Sequence, residues 1–165
     1  MKSLPLHDQR HLDAAEGWLG LGDPLAATEE LDQISPGWRG HPLVLEVTYR
    51  IFAETKQWES SVPIARIMVR LLPDHPWGHF HLAFALHELK RTREAYDTLV
   101  PVADIFPTEW LMRFNLACYA CQLGHLPEAL RWLKQAMSVA GRENVRRLAL
   151  ADQDLQPLWP AIREL

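Results

Sequence analysis

Hydrophobic residues recur along much of the chain at intervals of three and four, with polar residues between them. The clearest example covers two runs on either side of a glycine: Leu116, Ala117, Ala120 and Leu123, then Leu126, Leu130, Leu133 and Met137. Residues at these intervals share one face of an α-helix. The pattern predicts an all-α fold built from pairs of short amphipathic helices joined by tight turns.

The same pattern returns every 34 residues. Two columns at this spacing hold mainly small residues: Ala15, Tyr49, Ala83 and Ala117, and Ala27, Ser61, Ala95 and Ala129. Three further columns are mainly apolar: Trp18, Phe52, Leu86 and Ala120; Leu31, Ala65, Leu99 and Leu133; Ile34, Met68, Val102 and Ala136. A turn column contains Gly22, Lys56, Lys90 and Gly124. Small residues at a helix crossing let two backbones approach closely, so these columns indicate packed helix pairs.

The period divides the chain into four units, residues 8–41, 42–75, 76–109 and 110–143. Residues 144–165 continue with a helical pattern and are predicted to cap the last open hydrophobic face, as terminal segments do in repeat proteins. Residues 1–165 are thus expected to form one domain.

Prolines test this register. Pro24 and Pro127 fall at the start of predicted second helices, where a missing N–H costs nothing. Pro63 and Pro101 fall inside the second helices of the middle units, where proline removes a hydrogen bond. We predict a bent or late-starting helix around Pro63 and a break near Val100.

The segments NLACYACQLGHLPEALRWLKQA and FHLAFALHELKRTREAYDTL, in the fourth and third units, resemble tetratricopeptide repeats (TPR) of bacterial type. With the 34-residue period, the resemblance spans about residues 8–143. It implies antiparallel helix-turn-helix repeats stacked as a right-handed α-solenoid, a TPR-like superhelix. It also implies that the first helices of the units line a concave groove.

The resemblance assigns twelve residues to this groove: Leu12, Glu16, Glu46, Arg50, Trp77, Phe80, His81, Phe84, Leu111, Phe114, Asn115 and Cys118. Those from the first two units are mainly charged, whereas those from the last two are mainly aromatic or apolar. Such a surface suits an amphipathic helix or an apolar extended peptide. The predicted function is therefore a non-catalytic protein-interaction module or scaffold.

The aromatic residues have a second interpretation, because aromatic stripes on helices are often packing residues. They could be buried by the predicted cap, residues 144–165, folding into the groove or by a second copy of the chain. The alternative function is accordingly a chaperone-like or self-associating structural TPR module whose groove is filled by its own tail. A self-associating module of this kind would be compatible with a homodimer.

Charge and hydropathy exclude other classes. A net charge of −4 leaves no basic surplus for a phosphate backbone, so nucleic acid is not an expected partner. The chain has neither a leader-like apolar run at its start nor a run long enough to span a membrane, so a cytoplasmic location without membrane association is expected.

Cys118 and Cys121 have a C-x-x-C spacing, which in other proteins marks zinc or redox sites. They fall in the middle of a predicted helix, and the chain has no second cysteine pair, so a packing role is favoured. A thiol or metal site at this pair is the alternative. His7 and His11 have metal-like spacing without the glutamate of a metalloprotease, and no phosphate loop or nucleophile elbow is present. We expect no metal, no cofactor and no enzymatic activity.

Overall fold

The computed structural model describes residues 2–165, and over this range every regular element is a helix. Eight of the α-helices form four antiparallel pairs: α1 (Leu6–Gly20) with α2 (Pro24–Asp32), α3 (Pro42–Glu54) with α4 (Trp58–Leu71), α5 (Pro76–Glu88) with α6 (Thr92–Leu99), and α7 (Trp110–Gln122) with α8 (Leu126–Ala140). Helix α9 (Arg142–Ala151), a 3-10 segment (Gln153–Leu158) and α10 (Trp159–Arg163) follow. The prediction of an all-α fold of helix-turn-helix repeats is confirmed.

One turn geometry joins the two helices of every pair. The residue of the turn column has a positive φ each time: 77° at Gly22, 56° at Lys56, 63° at Lys90 and 80° at Gly124. Two N–H groups then close the first helix, as at Lys90 to the His87 carbonyl (2.8 Å) and Arg91 to the Leu86 carbonyl (2.9 Å). This is the Schellman arrangement of a helix end. The residues of the predicted turn column therefore all have the left-handed backbone conformation that ends the first helix of each pair.

Replacing Lys56 and Lys90 by Gly is expected to raise the free energy of unfolding by about 0.5–1 kcal/mol for each substitution. A side chain at positive φ costs roughly 1–2 kcal/mol, which exceeds the extra chain entropy that Gly loses on folding. Urea denaturation followed by circular dichroism measures the change. The control is Lys134→Gly, in the exposed interior of α8, which should instead lower stability by about 1 kcal/mol. Loss of stability at Lys56 and Lys90 would contradict the expectation.

The two central prolines behave differently. Helix α4 begins at Trp58 and continues through Pro63 to Leu71, so the helix does not start late, and a bend at Pro63 stays a prediction. Pro63 lies on the exposed side of the helix, while Val62 and Ala65 lie on its buried side. Helix α6 ends at Leu99 and a 3-10 turn covers Val100–Val102, which confirms the predicted break near Val100.

The chain divides into two compact units, one ending at Pro73 and the other running from Asp74 to Leu165. The first contains α1–α4, with a core that includes Leu12, Ala15, Ile34 and Val47. The second contains α5–α10, and its fully buried side chains include those of Leu86, Leu116, Leu133, Leu155 and Ile162. The organisation of residues 1–165 as one domain with four units and a cap stays a prediction.

The small-residue columns lie at the most buried positions of both units. Ala15, Ala27, Ala83, Ala95, Ala117 and Ala129 are all completely inaccessible to solvent, as is Ser61. The Ser61 hydroxyl donates to the Gln57 carbonyl at 3.1 Å, which satisfies the polar atom within the helix. Tyr49 is also buried, so the crossing at α3 holds a large ring where the other three positions of the column hold Ala.

Candidate functional site

The four predicted groove residues of the first unit do not form an apolar surface. Leu12 is only 2% exposed and belongs to the core. Glu16 and Arg50 are exposed, with Arg50 Nη1 3.9 Å from Glu16 Oε1, and Glu46 is half-buried. An exposed ion pair at this distance contributes little to stability. The charged surface predicted for the first unit is present, but Leu12, the hydrophobic residue of the predicted set, is buried in the core.

An apolar face is present in the second unit, and we define it by five of the predicted residues: Trp77, Phe80 and Phe84 on α5, and Leu111 and Phe114 on α7. The Phe80 and Phe84 rings are nearly parallel, with centroids 6.4 Å apart. Leu111 is 42% exposed and Phe114 is buried, while the three α5 side chains are half-buried. Half-buried aromatic rings beside an exposed leucine leave apolar surface available for contact.

A cavity of about 410 Å³ opens on this face between the first halves of α5 and α7. The residues that line it are His75, Pro76, Trp77, Phe80, His81, Glu109, Leu111 and Met112. Its volume falls within the roughly 300–1,000 Å³ range of ligand pockets. The cavity therefore brings together four of the predicted groove residues, Trp77, Phe80, His81 and Leu111.

His81 belongs to the aromatic lining of the cavity. Its ring centroid lies 4.2 Å from that of Trp77 and 5.0 Å from that of Phe80, edge-on to the latter. Burial disfavours the imidazolium and lowers the pKa of His81 to about 4 from the usual 6.5. The ring is consequently neutral at neutral pH and adds no formal charge to the apolar face.

Lowering the pH is expected to destabilise the fold because His81 is harder to protonate in the folded chain than in the unfolded one. The unfolded chain protonates this histidine near pH 6.5, whereas the folded chain resists protonation down to about pH 4, so stability is lost as the pH falls between these values. Between pH 7 and 4.5 the wild type should lose about 2 kcal/mol more than His81→Gln, which cannot titrate. Urea midpoints at both pH values measure this difference, and equal losses in the two proteins would contradict the shift.

The C-terminal segment, residues 152–158, covers the other end of the same side of the second unit. Cys118 Sγ donates to Asp152 Oδ2 at 3.6 Å, and Gln122 Nε2 donates to the Asp154 carbonyl at 3.0 Å. The Asp154 carboxylate also accepts from His87 Nε2 on α5 at 2.8 Å. Cys118 is therefore buried beneath this segment, whereas the cavity lies beyond it.

The cysteine pair lacks the properties of a reactive site. Cys118 is buried, and burial first, then the carboxylates of Asp152 and Asp154, raise the pKa of its thiol well above the usual value. Burial also raises the pKa of Cys121. A thiolate is the nucleophile and the metal ligand, so raised pKa values disfavour both chemistries. Among residues 2–165, no three His, Cys, Asp or Glu side chains are grouped to hold a metal ion.

Several polar residues that could have carried chemistry have structural partners. Asn115 Nδ2 donates to Tyr119 Oη at 3.3 Å, within α7. His11 Nδ1 lies 2.7 Å from Glu30 Oε2. His41 and His75, one period apart and each followed by proline, accept the N–H of Leu43 and Trp77 at 3.3 Å and so cap α3 and α5. This His-Pro pair recurs in the sequence at the 34-residue period, but it lies outside the columns that predicted the helices and their turns.

Four residues that line the cavity were not among the predicted groove residues: His75, Pro76, Glu109 and Met112. Glu109 is the N-cap of α7 and Pro76 begins α5, positions that lie just outside the groove columns. Met112 is buried and lines the cavity beside Leu111. Residues at the starts of helices contribute to the face because the cavity opens between the first turns of α5 and α7.

Helix pairs with this turn and these small-residue columns define a TPR-like repeat fold. Solved structures share it at low sequence identity. MamA from Desulfovibrio magneticus RS-1 has a TM-score of 0.76 at 14% identity, covering 99% of this chain and 97% of that one. A thermophilic TPR protein of Thermus thermophilus has a TM-score of 0.72 at 17% identity, covering 94% of this chain and 82% of that one.

A MamA of strain MSR-1 has a TM-score of 0.71 at 22% identity, covering 82% of this chain and 78% of that one. No protein-family model and no curated protein sequence matches the chain. The resemblance to TPR proteins is thus established at the level of the fold. Among the described residues, no helix is both long enough and apolar enough to cross a membrane.

Proposed function

We propose that this chain is a non-catalytic protein-interaction module that binds a peptide, in apolar extended or amphipathic helical form, on the apolar face of its second unit. The observation that carries the proposal is the 410 Å³ cavity, lined by half-buried Trp77 and Phe80 and by the exposed Leu111. Apolar side chains inserted from a partner would bury this surface. Helix-in-groove recognition uses hydrophobic anchors in the same way.

The chemistry of the cavity supports binding rather than catalysis. A general base works best with a pKa near the working pH, and the pKa of His81 is about 4. Cys118 and Cys121 are buried thiols with raised pKa values, so they are poor nucleophiles. The proposal therefore assigns no step of chemistry to these groups. A cytoplasmic location and protein partners accompany it as expectations.

The alternative, in which the chain's own tail fills the groove, draws support from contacts of the tail next to the apolar face. The C-terminal segment contacts Cys118 and Gln122, at the end of α7. It makes none of the contacts that line the cavity, which is formed by residues 75–81 and 109–112. We therefore propose that the tail limits the binding surface at one end and leaves the apolar face open to a partner.

The test is binding of a labelled amphipathic helical peptide, followed by fluorescence anisotropy with the full chain. Replacing Leu111 by Ser should weaken binding at least tenfold, and Phe80→Ser at least thirtyfold, since truncated aromatic anchors cost about 2 kcal/mol or more. Circular dichroism should show unchanged helicity. Because Leu111 is exposed, its substitution keeps the test informative even where Phe80→Ser lowers stability.

The matched control is Phe52→Ser, which changes a half-buried phenylalanine of α3 outside the apolar face. This variant should bind like the wild type. Equal loss in the Phe52 and Phe80 variants would assign the effect to folding. Failure of the wild type to bind any amphipathic peptide would overturn the proposed function.

A further inference from the structure

The apolar face has a carboxylate at each of its ends. Glu109 occupies the N-cap position of α7 and is the acidic side chain among the residues that line the cavity. At the other end, Asp152 Oδ2 lies 3.6 Å from Cys118 Sγ, one turn beyond Phe114 on α7. Two negative charges thus border a strip formed by Leu111 and Phe114.

Among the described residues, no basic side chain forms an ion pair with the carboxylate at either end. Across residues 2–165, neither Glu109 nor Asp152 takes part in an ion pair. Arg113, the basic residue of α7, is buried and directed away: Nη1 donates to the Phe106 carbonyl at 3.1 Å, and Nη2 lies 3.6 Å from Asp104 Oδ1. A ligand on the apolar face therefore meets, at each end, a carboxylate that is not paired with a basic side chain.

The spacing of the two carboxylates limits the ligand. Glu109, the N-cap of α7, and Cys118, which contacts Asp152, are nine residues apart, a rise of about 13 Å along the helix axis at 1.5 Å per residue. A partner helix lying along α7 repeats the same residue face at positions i, i+4 and i+8. Basic residues at i and i+8 are separated by a similar rise along the helix axis, about 12 Å.

Resting on the proposed function, we propose that the partner is a cationic amphipathic helix with a Lys or Arg at each end of an apolar stripe, seven or eight residues apart. Its apolar side chains enter the cavity beside Phe80 and Leu111. Its two cations lie against Glu109 and Asp152. A helix with acidic residues at the same positions would face like charges. The two carboxylates therefore select a partner helix whose end charges are positive and lie seven or eight residues apart.

The experiment uses three labelled helical peptides with one apolar stripe, Leu at i+1, i+4 and i+5. Positions i and i+8 are both Lys, both Gln or both Glu. Anisotropy titrations with the full chain should give the affinity order Lys, Gln, Glu, with about tenfold between the Lys and Gln peptides at low salt, since two exposed ion pairs are formed. The preference should shrink as salt is raised.

Two isosteric variants locate the effect. Glu109→Gln and Asp152→Asn should each reduce the preference for the Lys peptide about threefold and leave the affinity for the Gln peptide unchanged. Asp152→Asn keeps one oxygen to accept the Asp154 N–H, and its amide N–H₂ can donate to the Cys118 sulfur, so the C-terminal segment keeps both contacts. Asp97→Asn, an exposed carboxylate of α6, is the matched control and should change nothing.

The outcomes separate this inference from the proposed function. Equal binding of all three peptides would overturn the charge inference and leave the interaction module standing. A preference for the Lys peptide that survives both Glu109→Gln and Asp152→Asn, or a preference for the Glu peptide, would also overturn it. Binding of none of the peptides would remove the proposed function, and the inference with it.

Discussion

Replacing Leu155 by Ala is expected to lower the free energy of unfolding by about 3–4 kcal/mol. Leu155 is completely buried in the 3-10 segment, where that segment packs against α7, α8 and α9. Removing three carbon atoms there loses their transfer free energy and leaves a cavity in a packed core. A loss of this size would show that the C-terminal segment is part of the folded core of the second unit.

Urea denaturation followed by circular dichroism and by tryptophan fluorescence measures the Leu155 effect. The matched control is Leu25→Ala, since Leu25 is 71% exposed on α2 and should change stability by less than about 0.5 kcal/mol. A small effect at Leu155, together with binding of an apolar dye by the Leu155→Ala variant but not by the wild type, would identify the segment as a removable plug. That result would favour the tail-filled groove over the open apolar face.

The repeat period made the turns predictable because each turn depends on a few neighbouring residues. Glycine at positions 22 and 124 identified the column, and the fold places lysine at the same positive φ at positions 56 and 90. The hydrogen bonds are the same whichever residue occupies the column. A local motif that returns at a fixed spacing can be located from its best copies, even where other copies carry a strained residue.

The path of the C-terminal segment was not predictable by the same means. Its contacts with His87 and Cys118 join residues 67 and 34 positions apart, and residues 152–158 contain no copy of the repeat. One signal was present: Asp152 lies one period after Cys118, in the column of Glu16, Arg50 and Phe84. Extending that column past the fourth unit would have placed a carboxylate beside the cysteine.

The groove residues show the limit of a prediction taken from columns. A column assigns the same role to Leu12 and Phe80, yet Leu12 is in the core and Phe80 lines the cavity. Burial depends on which side chains surround each position, and these differ between the first and second units. The sequence did not predict a cavity here because two of its lining residues, Glu109 and Met112, lie at positions that carry no repeat signature.

Replacing Ala129 by Leu is expected to lower the free energy of unfolding by about 2–3 kcal/mol, because the added atoms have no space at the packing of α7 against α8. Ala129 is completely buried, and its column contains only Ala and the similarly small Ser61. The other small column tolerates Tyr49, so Ala129 is the stricter test of the helix crossing.

The control for Ala129 is Ala151→Leu, the same substitution at an exposed position at the end of α9. Thermal and urea unfolding should separate the two variants by at least about 1.5 kcal/mol, which lies well above the usual effect of a surface change. Equal stability would mean that the crossing can open to admit Leu, and the small columns would then reflect helix propensity, in which Ala ranks first, instead of close packing. Because Leu is nearly as good a helix former as Ala, a large loss at Ala129 alone has to come from overpacking at the crossing.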